Sequence, residues 1–279
     1  MFFGIGCLVV IVCTFGGYMA MGGKLGVLWQ PFEFVIIFGA ACGAYIIGTP
    51  KGIMFRTGEG LKDMLGGSPY SKENFLELLS ALYAVFKLAR GKGMLALESH
   101  IEEPHSSSLF SHFPHFVEQH HPMDFLCDYL RLMTLGGDNP HQMEDLMDAE
   151  LDVHHEERHA MAGAIQTMAD GMPALGIVAA VLGVIKTMGS ITEPPEVLGK
   201  LIGGALVGTF LGVFLSYGFI GPMAGSIKGV YDEEATYYNC IKIGLIAYLN
   251  GYAPAICVEF ARKSLMTDVR PSFALFRQL

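Results

Sequence analysis

Four stretches of this chain are nearly free of charge. Residues 2–21 and 201–222 carry none, residues 32–49 carry only Glu33, and residues 172–191 carry only Lys186. Each runs for about 18 to 22 residues, the length a helix needs to cross a hydrocarbon core of ~30 Å. The reading is four transmembrane helices. The first run is not read as a signal peptide, because no basic residue precedes it and no small-x-small cleavage site follows. Charged residues make up only 16% of the whole, against about a quarter in a soluble domain, which argues against a soluble enzyme and against a disordered chain.

The polar remainder is distributed unevenly. The links 22–31 and 192–200 are short, about 120 residues separate the second and third spans, and 57 follow the fourth. Of the 18 Lys and Arg, all but Lys24, Lys186 and Lys200 fall in the large loop and the tail. The positive-inside rule assigns both to the cytoplasm, with Lys51, Arg56, Lys62 and Lys228 near the membrane carrying most weight. The expected fold is therefore an all-α polytopic membrane protein, with four transmembrane helices, a large helical cytoplasmic loop and a helical cytoplasmic tail. The expected divisions are 1–50, 51–170, 171–222 and 223–279. Within the loop, Ser71 reads as an N-cap with Glu73 in the first turn, and Phe75, Leu78, Leu79, Leu82 and Phe86 recur at helical spacing. Gly91 and Gly93 weaken that helix before Met94–Ile101 continues it. A second, acidic helix is expected over 141–165, with Met143, Leu146, Met147 and Leu151 on one face. Residues 137–140 read as a turn, and residues 223–265 as an extension of the fourth span.

The third and fourth spans carry the most information. Gly204, Gly208, Gly212 and Ser216 fall every four residues, and Gly176, Ala179, Ala180 and Gly183 form a similar stripe. Small groups on one stripe let another helix approach closely. That suits either packing inside one bundle or a wall around a further helix. No Asp, Glu, His or Arg sits near the middle of any run. A proton relay needs an ionisable group in the membrane, so a partner is expected to bring one. Thr209 is the polar exception in this glycine-rich wall, and a bond back to its own helix would account for it. Pro173 and Pro222 stand at the expected cytoplasmic ends of spans three and four. Pro222 should kink the chain, and the pair could form a hinge.

Other function classes find little support. The net charge of -9 argues against a nucleic-acid partner. The cysteines at 7, 13, 42, 127, 240 and 257 show neither C-x-x-C nor metal spacing, and read as small hydrophobes in a reducing compartment. All ten His lie between 100 and 159. His155 and His159 have the spacing of metal ligands on one helix face, and a metal transporter with a His-rich loop is the reading they would favour. A polar surface tolerant of His accounts for them more simply. A pH-sensing role for His154, His155 and His159 is a further alternative. No nucleophile–base pair and no metal set converges on one segment, so no catalytic residues, no metal site and no cofactor are expected.

Local motifs along nearly the whole chain resemble the MotA family of flagellar stator subunits, within the MotA/TolQ/ExbB group. They begin with Phe15-Gly-Gly-Tyr, Gly22-Gly-Lys-Leu-Gly and Gln30-Pro-Phe-Glu. Gly93-Met94, Leu97-Glu98, Ile101-Glu102, Asp124-Phe125, Asp128-Tyr129-Leu130-Arg131-Leu132 and Leu146-Met147-Asp148 follow in the loop. Pro173 through Val181 and Val207 through Gly212 mark the spans. Asn250-Gly251-Tyr252-Ala253-Pro254 and Arg270-Pro271-Ser272-Phe273 close the tail. The resemblance implies an inner-membrane ring, five copies in the family, around two helices of a MotB-type single-span subunit that binds peptidoglycan and carries the essential Asp. Protons are the implied coupling ion, and the rotor switch protein FliG the implied contact. Arg90 and Glu98, with Glu150 weaker, match the rotor-contact charges, although the residues alone read as a solvated helix face. Pro173 and Pro222 match prolines that couple ion flow to movement. Thr209 matches the hydroxyl facing the ion path. Ala180 stands where sodium-driven relatives have Thr, which implies proton drive, since a hard cation wants several oxygen ligands. The alternative is an energy-transducing subunit of the ExbB or TolQ type, although those are typically shorter, with three spans.

Overall fold

The computed structural model describes residues 2–68 and 70–272. Phe273 and Arg277 lie outside the described residues. The long helices are α1 (Phe2–Ala20), α2 (Pro31–Gly48), α3 (Lys51–Gly66), α4 (Lys72–Lys92), α5 (His120–Thr134), α6 (Pro140–Met188), α7 (Pro195–Leu215), α8 (Gly221–Leu249) and α9 (Pro254–Lys263). Among the described residues there is no strand. Four helical stretches among the described residues are long and apolar enough to cross a membrane: Phe3–Ala20, Leu25–Gly48, Pro140–Met188 and Pro195–Leu249. The described residues form two compact units, one of 2–67 with 157–230, the other of 68–156 with 231–272.

In the first unit, α1 packs through aromatic edges: Phe15 meets Phe214 at 5.3 Å and Phe210 at 6.4 Å between ring centroids. Tyr45 near the end of α2 shares a 2.6 Å hydrogen bond with Thr57 of α3, and Arg56 pairs with Glu157 at 2.6 Å. Most large side chains on the four apolar stretches stay exposed, among them Leu8, Val12, Val35, Ile47, Ile185 and Leu206. An apolar surface of this extent needs lipid or further helices against it.

The second unit has its own core. Phe75, Leu78, Leu79, Leu82 and Phe86 are buried along one face of α4, as their spacing predicts, and the Ser71 hydroxyl caps that helix by accepting from Asn74 N–H. Tyr237 of α8 is at the centre, its ring 5.0 Å from Tyr70, 5.2 Å from Phe75 and 6.4 Å from Phe116. Lys242 donates to Asp148 at 2.6 Å, and His154 lies 3.4 Å from Glu234. Cys127, Cys240 and Cys257 are buried free thiols. Burial pushes the Cys127 thiol up to about 12, so it behaves as a small hydrophobe and not as a nucleophile.

Several expectations are corrected. The acidic helix over 141–165 is the beginning of α6, which continues without a break to Met188; no glycine cap or proline break intervenes before Pro173. Asn139 starts it, its Oδ1 accepting from the N–H groups of His141 and Gln142. Met143 and Met147 are buried, but Leu146 is 49% exposed. At 100° per residue it sits well off the direction shared by 143, 147 and 151. The stretch 223–265 is not one helix. It stops at Leu249, Gly251 turns the chain at φ +83°, and α9 begins at Pro254. Nor does α4 continue to residue 101. Gly93 ends it at φ +85°, its N–H returning to Ala89 O, and a 3₁₀ turn (Met94–Leu97) leads into Glu98–Glu102.

Candidate functional site

Spans three and four meet backbone to backbone. A methyl group on Gly176 would fall 2.9 Å from Gly208 O and 3.1 Å from Gly212 Cα. One on Gly212 would fall 2.7 Å from Met172 O and 2.8 Å from Gly176 Cα. Carbon atoms in ordinary contact sit about 3.5–4.0 Å apart, so α6 and α7 reach this separation only because both positions are glycine. Gly204 faces a different neighbour: a methyl there would lie 3.2 Å from Gln30 Nε2.

Gly208 brings an unexpected group into the seam. A methyl on it would fall 3.0 Å from Glu33 Oε2, 3.1 Å from Ala179 Cβ and 3.1 Å from Ala180 N. On the other side, a methyl on Gly183 would lie 3.6 Å from Glu33 Oε1. The carboxyl of Glu33 therefore enters between α6 and α7 at the level of Gly183 and Gly208. Gly208 is seven residues, about 10 Å, inside the run that begins at 201. Glu33 stands at the edge of its own run, but its side chain reaches the interior of two others. The signal available in sequence was that it is the one acidic residue in any of the four runs.

The two prolines share a hydrogen-bond system. Pro173, inside α6, has no N–H to give Ala169 O. That carbonyl instead accepts from the buried Ser216 hydroxyl at 2.7 Å. Ser216 opens a π-helical turn, Ser216–Ile220, in which Gly221 N–H bonds back to Ser216 O. The wider turn comes immediately before Pro222, which cannot donate to Gly218 O and whose ring would crowd that carbonyl in a regular helix. The kink expected at Pro222 is accommodated by this π turn. Ser216, read from sequence only as a small residue in the glycine stripe, joins both proline positions. Ala180 and Thr209 flank Gly208 in the same region and are half-buried.

In the second unit, Arg90 and Glu98 are both exposed but stand on separate elements, divided by the Gly93 turn. Arg90 Nη1 also donates to Gly251 O at 3.2 Å, so it braces the turn between α8 and α9. Glu150 accepts from Tyr129 OH at 2.6 Å. Burial, helped by that bond to Glu150, holds the Tyr129 phenol well above its ordinary range. Sequence reasoning missed a further charge cluster. Arg131 meets Glu102 at 2.8 Å and Asp128 at 2.7 Å, and the bond to Glu102 raises its already high pKa. The histidines disperse: His100 bonds Ser107, His105 packs on His120, and His154 faces Glu234. Among the described residues no three His, Cys, Asp or Glu side chains are grouped to hold a metal.

A helical membrane protein with a glycine-seamed pair of spans and a second helical unit is the class these features define. Residues 4–93 match the family model described as motility protein A N-terminal, and residues 118–239 match that of the MotA/TolQ/ExbB proton channel family. Motility protein A of Escherichia coli (strain K12) is 42% identical over 96% of this chain and 91% of its own length. Chemotaxis protein LafT of Vibrio parahaemolyticus is 36% identical over 96% and 94%. A solved structure described as C. jejuni MotAB shares the fold at a TM-score of 0.81, covering 96% of this chain and 97% of that one at 20% identity. The chain belongs to the motility protein A family, within the MotA/TolQ/ExbB proton channel family. With its four apolar helices it is a multi-pass inner-membrane protein. The ExbB or TolQ alternative is not favoured, since residues 4–93 match the N-terminal model of motility protein A.

Proposed function

We infer that this chain is the stator subunit of a flagellar motor, forming with a MotB-type partner a proton-conducting complex that converts proton motive force into torque. The observation that carries the reading is relationship at 42% identity to a motility protein A along 96% of the chain. The local physics agrees with it. The glycine seam gives spans three and four a thin, close-packed wall, and the broad exposed apolar surface calls for further helices or lipid. The partner supplies the essential membrane Asp and anchors to peptidoglycan. Five copies of this chain form the ring, and its large loop and tail face the cytoplasm, following the Lys and Arg distribution.

Arg90, Glu98 and Glu150 form the surface that engages FliG. Exposed charges favour fast association and easy release. Pro173 and Pro222 couple ion movement to the cytoplasmic domain, with Thr209 and Ala180 beside the ion. Ala180 offers no side-chain oxygen, which supports protons over sodium. No cofactor takes part.

Purification from native membranes in mild detergent, followed by mass spectrometry of what accompanies the chain, tests this. A single-span partner with a membrane Asp and a peptidoglycan-binding domain is expected. A TonB- or TolA-linked partner would overturn the stator assignment.

A further inference from the structure

Glu33 Oε2 is buried and has no hydrogen-bond partner among the described residues. A carboxylate kept for structure is normally surrounded by donors, because a buried anion without them is expensive, and more so in a membrane. Here no donor reaches Oε2 among the described residues. Gly183 and Gly208 remove side chains from both sides, and Ala179 presents a methyl. The Gln30 amide, one turn before Glu33, lies against Gly204, one turn before Gly208 in α7, and donates to Val27 O at 3.4 Å. Lys186 of α6 acts on the carboxylate as a charge of opposite sign. The seam leaves no room for a further side chain there, and protonation removes a buried charge that has no hydrogen-bond donor at Oε2.

We propose that Glu33 is a proton-binding site within the membrane, lying beside Ala180 and Thr209 on the ion path. The carboxylate takes a proton from hydronium arriving from the side of the short links 22–30 and 189–194, giving the neutral acid and water. It returns the proton to water at the level of Gly208, on the way to the partner's carboxylate. One O–H bond forms and one breaks at each step, and nothing is oxidised or reduced. The direction of transfer rests on the stator reading; the binding site does not.

Two measurements on the full chain separate those claims. The first is pH-difference infrared spectroscopy of the purified ring in nanodiscs, following the C=O band of a protonated carboxylic acid. The wild type should show a titrating band that Glu33→Gln abolishes and Glu33→Asp shifts. The second is proton flux through the complex reconstituted with its partner in liposomes. Glu33→Gln should reduce it about a hundredfold, the scale of a lost proton-transfer group, and Glu33→Asp should restore most of it. Size-exclusion profiles matching the wild type exclude misassembly, and the Asp variant keeps the test alive if the Gln variant fails to assemble. An unchanged carboxyl band, or unchanged flux, in Glu33→Gln overturns the proposal. A wild-type complex that turns no rotor would overturn the stator reading, while the infrared band still decides the site.

Discussion

Replacing Gly212 by Ala adds a single methyl group, yet the structure predicts a large loss. That methyl would meet Met172 O at 2.7 Å and Gly176 Cα at 2.8 Å, about 1 Å closer than an ordinary contact. Both obstacles are backbone, so no side chain can swing aside, and α6 and α7 must separate along their seam. Overpacking costs about 1–3 kcal/mol, and with two rigid obstacles the upper end applies. Ala favours a helix over Gly by about 1 kcal/mol, leaving a net loss of about 2 kcal/mol. Gly163→Ala is the control. It sits exposed inside α6 with nothing within 4 Å of the added methyl, so it keeps only the gain of about 1 kcal/mol. The two variants should differ by about 3 kcal/mol, roughly a hundredfold in the unfolding equilibrium. Reversible unfolding of the purified chain in mixed detergent micelles, titrated with a denaturing detergent, reads the difference. Equal stabilities for the two variants would refute the claim that the backbones touch at Gly212.

Three further outcomes follow from the same geometry. Ser216→Ala leaves Ala169 O without its hydroxyl donor beside Pro173 and should cost about 1–2 kcal/mol in the same titration; an unchanged midpoint would remove Ser216 from the proline system. Arg262 grips Glu259 through two bonds of 2.7 and 2.8 Å and donates to Pro271 O at 2.8 Å. The Arg262 bond lowers the Glu259 pKa, so this stabilisation is present above the ordinary glutamate value of about 4.3 and is lost as pH falls through the lowered one. Arg262→Ala should cost about 2 kcal/mol at pH 7, less than for a fully buried pair because Glu259 is partly exposed, and should flatten the acid limb of the stability curve. Ala180→Thr puts a hydroxyl beside Gly208 and should alter ion flux and motility; a variant indistinguishable from wild type would mean that position 180 does not line the path.

Much of this arrangement is legible in sequence because it depends on local periodicity. The four apolar runs announce the spans, and the spacing of Phe75, Leu78, Leu79, Leu82 and Phe86 announces the buried face of α4. What escapes is whatever depends on distant residues meeting. The bond from Ser216 to Ala169 joins positions 47 apart, and nothing near either reveals it. Glu33 looks harmless at the edge of a run because sequence gives depth along its own helix only. Its true neighbours, Gly183 and Gly208, lie on two other helices. Gly93 was visible as a weak point, but its positive φ, which turns the chain and puts Arg90 and Glu98 on separate elements, needed the structure.

The central claim is that this chain turns proton flow into rotation. The most direct measurement is the speed of tethered cells that lack their own stators and express this chain with its native partner. Speed should rise and fall with the proton motive force and should not change when sodium is replaced by potassium. No rotation, or rotation that stops on sodium removal while the proton gradient is held, would contradict it.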